Sequence, residues 1–164
     1  MSSTDKSAKK EDPYEWYPTP EWCVHRLLEK VRFASNEFWI EPSAGDGAVL
    51  RAIQSGPSNF PYNCVPPNMV YAVEIQQKFE QDLRALTKHV YIGDFFDFRF
   101  YDLKINAGVP EVIIGNPPYG LARPMIEHGL KQARNVCFLL RLNFLGSAER
   151  AKWLQRQKPS VYVR

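Results

Sequence analysis

The segment Asn116-Pro117-Pro118-Tyr119 is the part of this chain best equipped to grip a small reacting group. It follows Val112-Ile113-Ile114, an apolar run that reads as a buried strand, so it begins at a strand end. Two consecutive prolines fix the backbone and remove two N–H donors. The Pro117 carbonyl and the Asn116 side-chain oxygen can then point at one target. An NH₂ group offers the two donors those acceptors need. Tyr119 adds a flat face on which a planar base stacks. The blander reading is a rigid loop with a structural tyrosine.

Three other strand ends carry acids. Glu41-Pro42-Ser43-Ala44-Gly45-Asp46-Gly47 lies between the apolar run Phe38-Trp39-Ile40 and a helical pattern from Ala48 to Gln54. Its glycines let the backbone turn tightly and come close to a ligand. It has neither the GxGxxG spacing of a dinucleotide site nor the Gly-Lys-Ser/Thr of a phosphate loop. Glu41 and Asp46 argue against a polyphosphate and suit a cationic or hydroxyl-rich ligand. Glu74 ends a second strand, where a carboxylate can accept two hydrogen bonds from a ribose diol or remain a solvated charge. Asp94 ends a third, either to bind an adenine amino group or to cap a turn.

The elements that must position these groups alternate. Strands are expected at Phe38–Ile40, Met69–Ile75, Val90–Ile92, Glu111–Gly115 and Val136–Leu140, and the start of a sixth at Val161-Tyr162-Val163. Helices are expected after Thr19-Pro20-Glu21, with Thr19 as N-cap and Pro20 at the first helical position, then at Ala48–Gln54, Gln76–Lys88, Met125–Ala133 and Ser147–Gln157. Such alternation implies an α/β fold, a doubly wound, mostly parallel sheet with helices on both faces. In such a sheet ligands bind beyond the carboxyl ends of the strands, where all four groups sit. Residues 1–13 read as a disordered polar tail ahead of one domain over 14–164, with order beginning near Tyr14 and Trp16. The stretch from Ser55 to Asn68, with four prolines, reads as a loop on the face opposite the site.

The remaining features exclude more than they suggest. With 164 residues, 45% hydrophobic and 24% charged, the composition is that of an ordinary globular domain. No run approaches a membrane span and no secretion signal is evident, so a cytoplasmic location is expected. Cys23, Cys64 and Cys137 are widely spaced, and His25, His89 and His128 share no ligand spacing, so no metal is expected. A net charge of +3 permits a nucleic-acid partner without demanding one. Arg150, Lys152, Arg156 and Lys158 make the last helix basic, either a solvated face or a set of phosphate contacts. The run Phe95 to Tyr101 is rich in aromatics and reads mainly as core.

Together these residues resemble the amino-methyltransferases of class I, specifically the DNA N6-adenine methyltransferases of the NPPY type. The short tail, the YPTPEW segment and the compact size are similar to small phage-type or prophage-type members. The resemblance spans about Tyr14 to Lys158. It implies S-adenosyl-L-methionine as cofactor, held by Tyr17, Thr19 and Pro20, by Glu41, Pro42, Ser43, Ala44 and Gly45, by Glu74 with Ile75, by Asp94 with Phe95, and by Asn116. It implies Asn116, Pro117, Pro118 and Tyr119 as the catalytic motif and a flipped-out adenine in DNA as acceptor. The family sheet closes with a C-terminal hairpin. Here the chain stops at Val161-Tyr162-Val163-Arg164, so the hairpin is expected to be missing, or supplied by a partner chain or dimer. Related NPPY loops act on glutamine side chains or on RNA amino groups, which leaves those acceptors open, as well as an inactive subunit that binds only cofactor or DNA.

Overall fold

The computed structural model describes residues 16–31, 33, 37–57, 65–100 and 108–159. The expected tail, Tyr14, Cys64, Tyr101, residues 58–64 of the proline-rich loop and the expected strand at Val161–Val163 lie outside the described residues.

Short β-rich runs pair into one five-stranded sheet. Its strands are β1 (Trp39–Glu41), β2 (Val70–Glu74), β3 (His89–Ile92), β4 (Val112–Gly115) and β5 (Asn135–Phe138). The order is β3-β2-β1-β4-β5 and every pairing is parallel. The helices are α1 (Glu21–Lys30), α2 (Ala48–Ser55), α3 (Glu80–Leu86), α4 (Ala122–Gly129) and α5 (Ala148–Gln157). The expected doubly wound α/β arrangement is therefore present.

Side chains alternate across a strand, so each central strand feeds two cores. Trp39, Val70, Ala72, Val112 and Ile114 pack with Val24 and Leu28 of α1, Val49, Leu50 and Ile53 of α2, and Leu83 of α3. The intervening Ile40, Tyr71, Val73 and Ile113 pack with Met125 of α4 and with Phe95, Phe98 and Phe100. The aromatic run after β3 is thus mainly core, as its composition suggested. Burial on both faces explains why β1, β2 and β4 are apolar almost throughout. Each fully buried Val or Ile there is worth about 1.5–3 kcal/mol. Among the described residues, no helix is long and apolar enough to cross a membrane.

Three helix starts differ from expectation, and one of them is α3, which begins at Glu80 rather than Gln76, after a 3₁₀ turn over Gln77–Phe79. Pro20, with ψ 133°, is the N-cap of α1, and the helix begins at Glu21. Thr19 does not cap it, because it is drawn inward and buried. Helix α4 begins at Ala122, three residues before Met125, after a 3₁₀ turn over Tyr119–Leu121. Pro124 is tolerated because it falls in the first turn, where N–H groups have no helical partner. The same helix ends at Gly129 rather than Ala133. A Cβ on Gly129 would lie 3.1 Å from Val136 Cγ2 and 3.2 Å from Ile113 Cδ1, so the chain comes close to the sheet there. The start of α5 follows its sequence signal, with Ser147 Oγ accepting the Arg150 N–H at 3.1 Å.

Candidate functional site

The strand order reverses between β1 and β4, because the chain leaves β1 for β2 on one side and returns as β4 on the other. At such a point the connecting loops diverge and leave a crevice at the carboxyl ends of the strands. The cleft found there is lined by Trp16, Tyr17, Pro18 and Thr19 from the segment before α1, and by Glu41, Ser43, Ala44 and Asp46 after β1. Ala48 and Val49 of α2, Glu74, Ile75 and Gln76 after β2, and Asn116, Pro118 and Leu121 after β4 complete it. Four separate segments of the sequence therefore converge on one place.

The β1–β2 side is closed by hydrogen bonds within the fold. Gly45 (φ +52°) and Gly47 (φ +80°) adopt backbone conformations that other residues rarely reach. The turn they allow brings the Gly45 N–H to Glu74 Oε2 at 2.7 Å and the Ala44 N–H to the Val73 carbonyl at 3.0 Å. The other oxygen of Glu74, Oε1, accepts the Gln76 N–H at 2.8 Å. Asp46 pairs with Arg51 at 3.0 Å and accepts the Ala48 N–H at the start of α2. Trp16 lies against the glycine turn, since a Cβ on Gly45 would come within 2.5 Å of its Nε1.

Glu41, at the end of β1, is 2% exposed, and its Oε2 has no hydrogen-bond partner. Burial, reinforced by the charge of Glu74, pushes its pKa well above the usual carboxylate range, against a backbone hydrogen bond from Leu50.

The β4 side is built differently. Asn116 Nδ2 donates to the Tyr17 carbonyl at 3.3 Å, and the Asn116 carbonyl accepts from Ser43 Oγ at 3.4 Å. The first bond orients the side-chain amide and the second holds the backbone of the same residue, yet Oδ1 is buried and unpartnered. A buried acceptor without a donor costs about 1–3 kcal/mol, so this oxygen holds unused hydrogen-bonding capacity. The Tyr119 ring lies 6.3 Å from that of Tyr17, within 26° of parallel. The Arg141 guanidinium lies 4.0 Å from the Tyr119 ring centroid.

Of the residues singled out in the sequence, Tyr17, Thr19, Glu41, Ser43, Ala44, Glu74, Ile75, Asn116 and Pro118 line this cleft. Pro20, Pro42, Gly45, Pro117 and Tyr119 flank it as chain neighbours of lining residues. Asp94 and Phe95 are not among the lining residues. Asp94 Oδ1 accepts the Phe96 N–H at 2.8 Å, closing the turn after β3, and Phe95 is buried beside His128. Sequence reading gave no site role to Trp16, Val49, Gln76, Leu121 or Arg141. Only Trp16 carried a signal, as an aromatic close to the Tyr17-Pro18-Thr19-Pro20 segment. Among the described residues, no three His, Cys, Asp or Glu are grouped to hold a metal.

No protein-family model matches the chain, and no curated protein sequence matches it. Solved structures do. The chain is similar to the 23S rRNA methyltransferase ErmE, with TM-score 0.58 and 16% identity over 81% of this chain and 51% of that one. It is similar to a dimethyladenosine transferase from Plasmodium falciparum, with TM-score 0.55 and 13% identity over 79% of this chain and 44% of that one. A third likeness is to a Listeria monocytogenes protein assigned to the class I S-adenosylmethionine-dependent methyltransferases, with TM-score 0.59 and 13% identity over 90% and 53%. The chain spans about half the length of these structures. At such identities the likeness establishes the fold.

Proposed function

We propose that this chain transfers a methyl group from S-adenosyl-L-methionine to an exocyclic amino nitrogen, and that the acceptor is adenine N6 in DNA. The observation that carries the reading is the buried, unpartnered Oδ1 of Asn116, on a side-chain amide oriented by the Tyr17 carbonyl, in a cleft it shares with Glu41 and Glu74. An oriented acceptor with no donor in the fold calls for a donor from outside, and an NH₂ group supplies one.

The residues present fit the cofactor. Glu41 has an unpaired buried oxygen beside a second carboxylate, surroundings that favour a cation. The turn at Gly45 and Gly47 leaves the backbone close to any ligand. Ile75, half exposed beside Glu74, offers an apolar face for a base. Glu74 spends one hydrogen bond per oxygen on the backbone, and a carboxylate oxygen can accept a second, so a ribose diol can still be held. S-adenosyl-L-methionine, when bound, supplies an electrophilic methyl carbon on a sulfonium.

The chain's own residues then act on the amine. N6 of adenine is a poor nucleophile because its lone pair is delocalised into the ring. Hydrogen bonds from N6 to Asn116 Oδ1 and to the Pro117 carbonyl favour a pyramidal nitrogen with a localised lone pair, which is positioning plus polarisation. The base cannot be reached within a duplex and must flip out. Flipping costs a few kcal/mol, and stacking on Tyr119, worth about 1–3 kcal/mol, offsets part of it.

The test is transfer of tritiated methyl from S-adenosyl-L-methionine to unmethylated DNA, to RNA and to release-factor protein, with the modified residue identified by mass spectrometry. N6-methyladenine in the DNA is the expected product. Label only in RNA or in a glutamine side chain would keep the amine chemistry and replace the acceptor. Label in none of the three would overturn the reading.

A further inference from the structure

We propose that Tyr17 forms a second wall of the acceptor site, so that a nucleobase is held between the rings of Tyr17 and Tyr119. This rests on the acceptor reading above and names what the site grips beyond the amine: the two faces of a flat ring.

The two ring centroids are 6.3 Å apart and the planes are within 26° of parallel. A flat ring slipped between two others needs ~3.5 Å on each side, about 7 Å in all. The centroid separation is the upper limit of the gap between the planes, so the rings must part by ~1 Å or more to admit a base. Tyr17 can shift in this way because the residue is 54% exposed and is not packed in a core. Its surroundings, by contrast, are fixed. Trp16 lies against the glycine turn and 5.3 Å from the Phe79 ring, and Thr19 is buried.

Tyr17 is also tied to the amine grip. Its carbonyl accepts the hydrogen bond that orients Asn116, so the residue that forms the wall also holds the amide whose Oδ1 is unpartnered. Arg141, exposed and over the Tyr119 ring, brings a positive charge to the same mouth. That charge suits a nucleotide, which carries phosphate next to its base, better than a neutral side-chain amide. A lone amide would also leave most of two aromatic faces uncovered.

The experiment uses a single-stranded oligodeoxynucleotide carrying 2-aminopurine, whose fluorescence is quenched on stacking, with the full chain and S-adenosylhomocysteine present. The wild-type protein quenches the probe. Tyr17→Leu weakens its binding about ten-fold, while Tyr17→Phe, which keeps the flat face, retains the quenching. Calorimetry of S-adenosylhomocysteine binding is the control. If Tyr17→Leu weakens that ligand as much as the oligonucleotide, the ring belongs to the donor side and the proposal is overturned. Unchanged quenching by Tyr17→Leu overturns it as well. Quenching without methyl transfer to any acceptor would keep the wall and overturn the transfer reading. Transfer to DNA without quenching would overturn the wall alone.

Discussion

The two sides of the cleft spend their hydrogen bonds differently. On the β1–β2 side, both oxygens of Glu74 take backbone N–H groups, and the Ala44 N–H reaches the Val73 carbonyl, so the glycine turn is fastened to the next strand by the fold itself. On the β4 side, the Asn116 side-chain amide is aimed by the Tyr17 carbonyl and the Asn116 backbone carbonyl is held by Ser43, but Oδ1 is left without a donor. The first arrangement gives a surface already in its working shape. The second keeps a cost in the resting protein that only a visiting donor removes. The contrast fits a site that holds one ligand on a prepared surface and strains toward another.

The sharpest way to break this contrast is Asn116→Ala. It should lower methyl transfer by about 100-fold or more and leave cofactor affinity within about two-fold, as read by calorimetry beside single-turnover rates. Equal loss of both would mean that the two sides are not separable. Next comes Gly45→Ala. A Cβ at φ +52° is strained and meets Trp16 at 2.5 Å, so a loss of about 1–3 kcal/mol is expected in denaturant unfolding, with a shift in tryptophan fluorescence.

A third test uses pH. The carboxyl of Glu41 binds its proton more tightly in the folded than in the unfolded chain. Its contribution to stability is therefore complete below the unfolded value of about 4.3 and is lost as pH rises through the folded value. Glu41→Gln keeps the shape and removes that dependence. Its melting temperature relative to wild type should rise with pH above about 4.3 and level off once the folded carboxyl has ionised, and a difference constant throughout would show that the carboxyl titrates normally. The smallest effect is expected at Asp94→Ala. Losing the turn bond to Phe96 should cost about 1 kcal/mol with cofactor affinity changed less than about three-fold. A loss beyond ten-fold would move Asp94 into the donor pocket.

Much of this was legible in the sequence because it depends on local rules. Strands buried on both faces read as apolar runs, and Ile40, Tyr71, Val73 and Ile113 differ from their neighbours only in which core they meet. The residues at the ends of β1, β2 and β4 were visible because strand ends in a parallel sheet share one edge. What stayed hidden depends on distant partners. Thr19 has the side chain of a helix cap but is buried in the cleft, and Pro124 sits in the first turn of a helix that was expected to begin only at Met125. Asp94 could serve a ligand or a turn by composition, and only the Phe96 contact shows its present use. The approach of Arg141 to Tyr119 joins residues 22 apart across two strand ends, a relation that no spacing in the sequence encodes.

Because Glu74 serves as a two-pronged clasp for the main chain, it is a poor place to redesign what the pocket accepts. Even a shortening to aspartate would withdraw the carboxylate from one of its two amides, loosening the turn before altering selectivity. Substitutions meant to widen the cleft would do better at Ile75 and Gln76, whose side chains make no such clasp between β1 and β2.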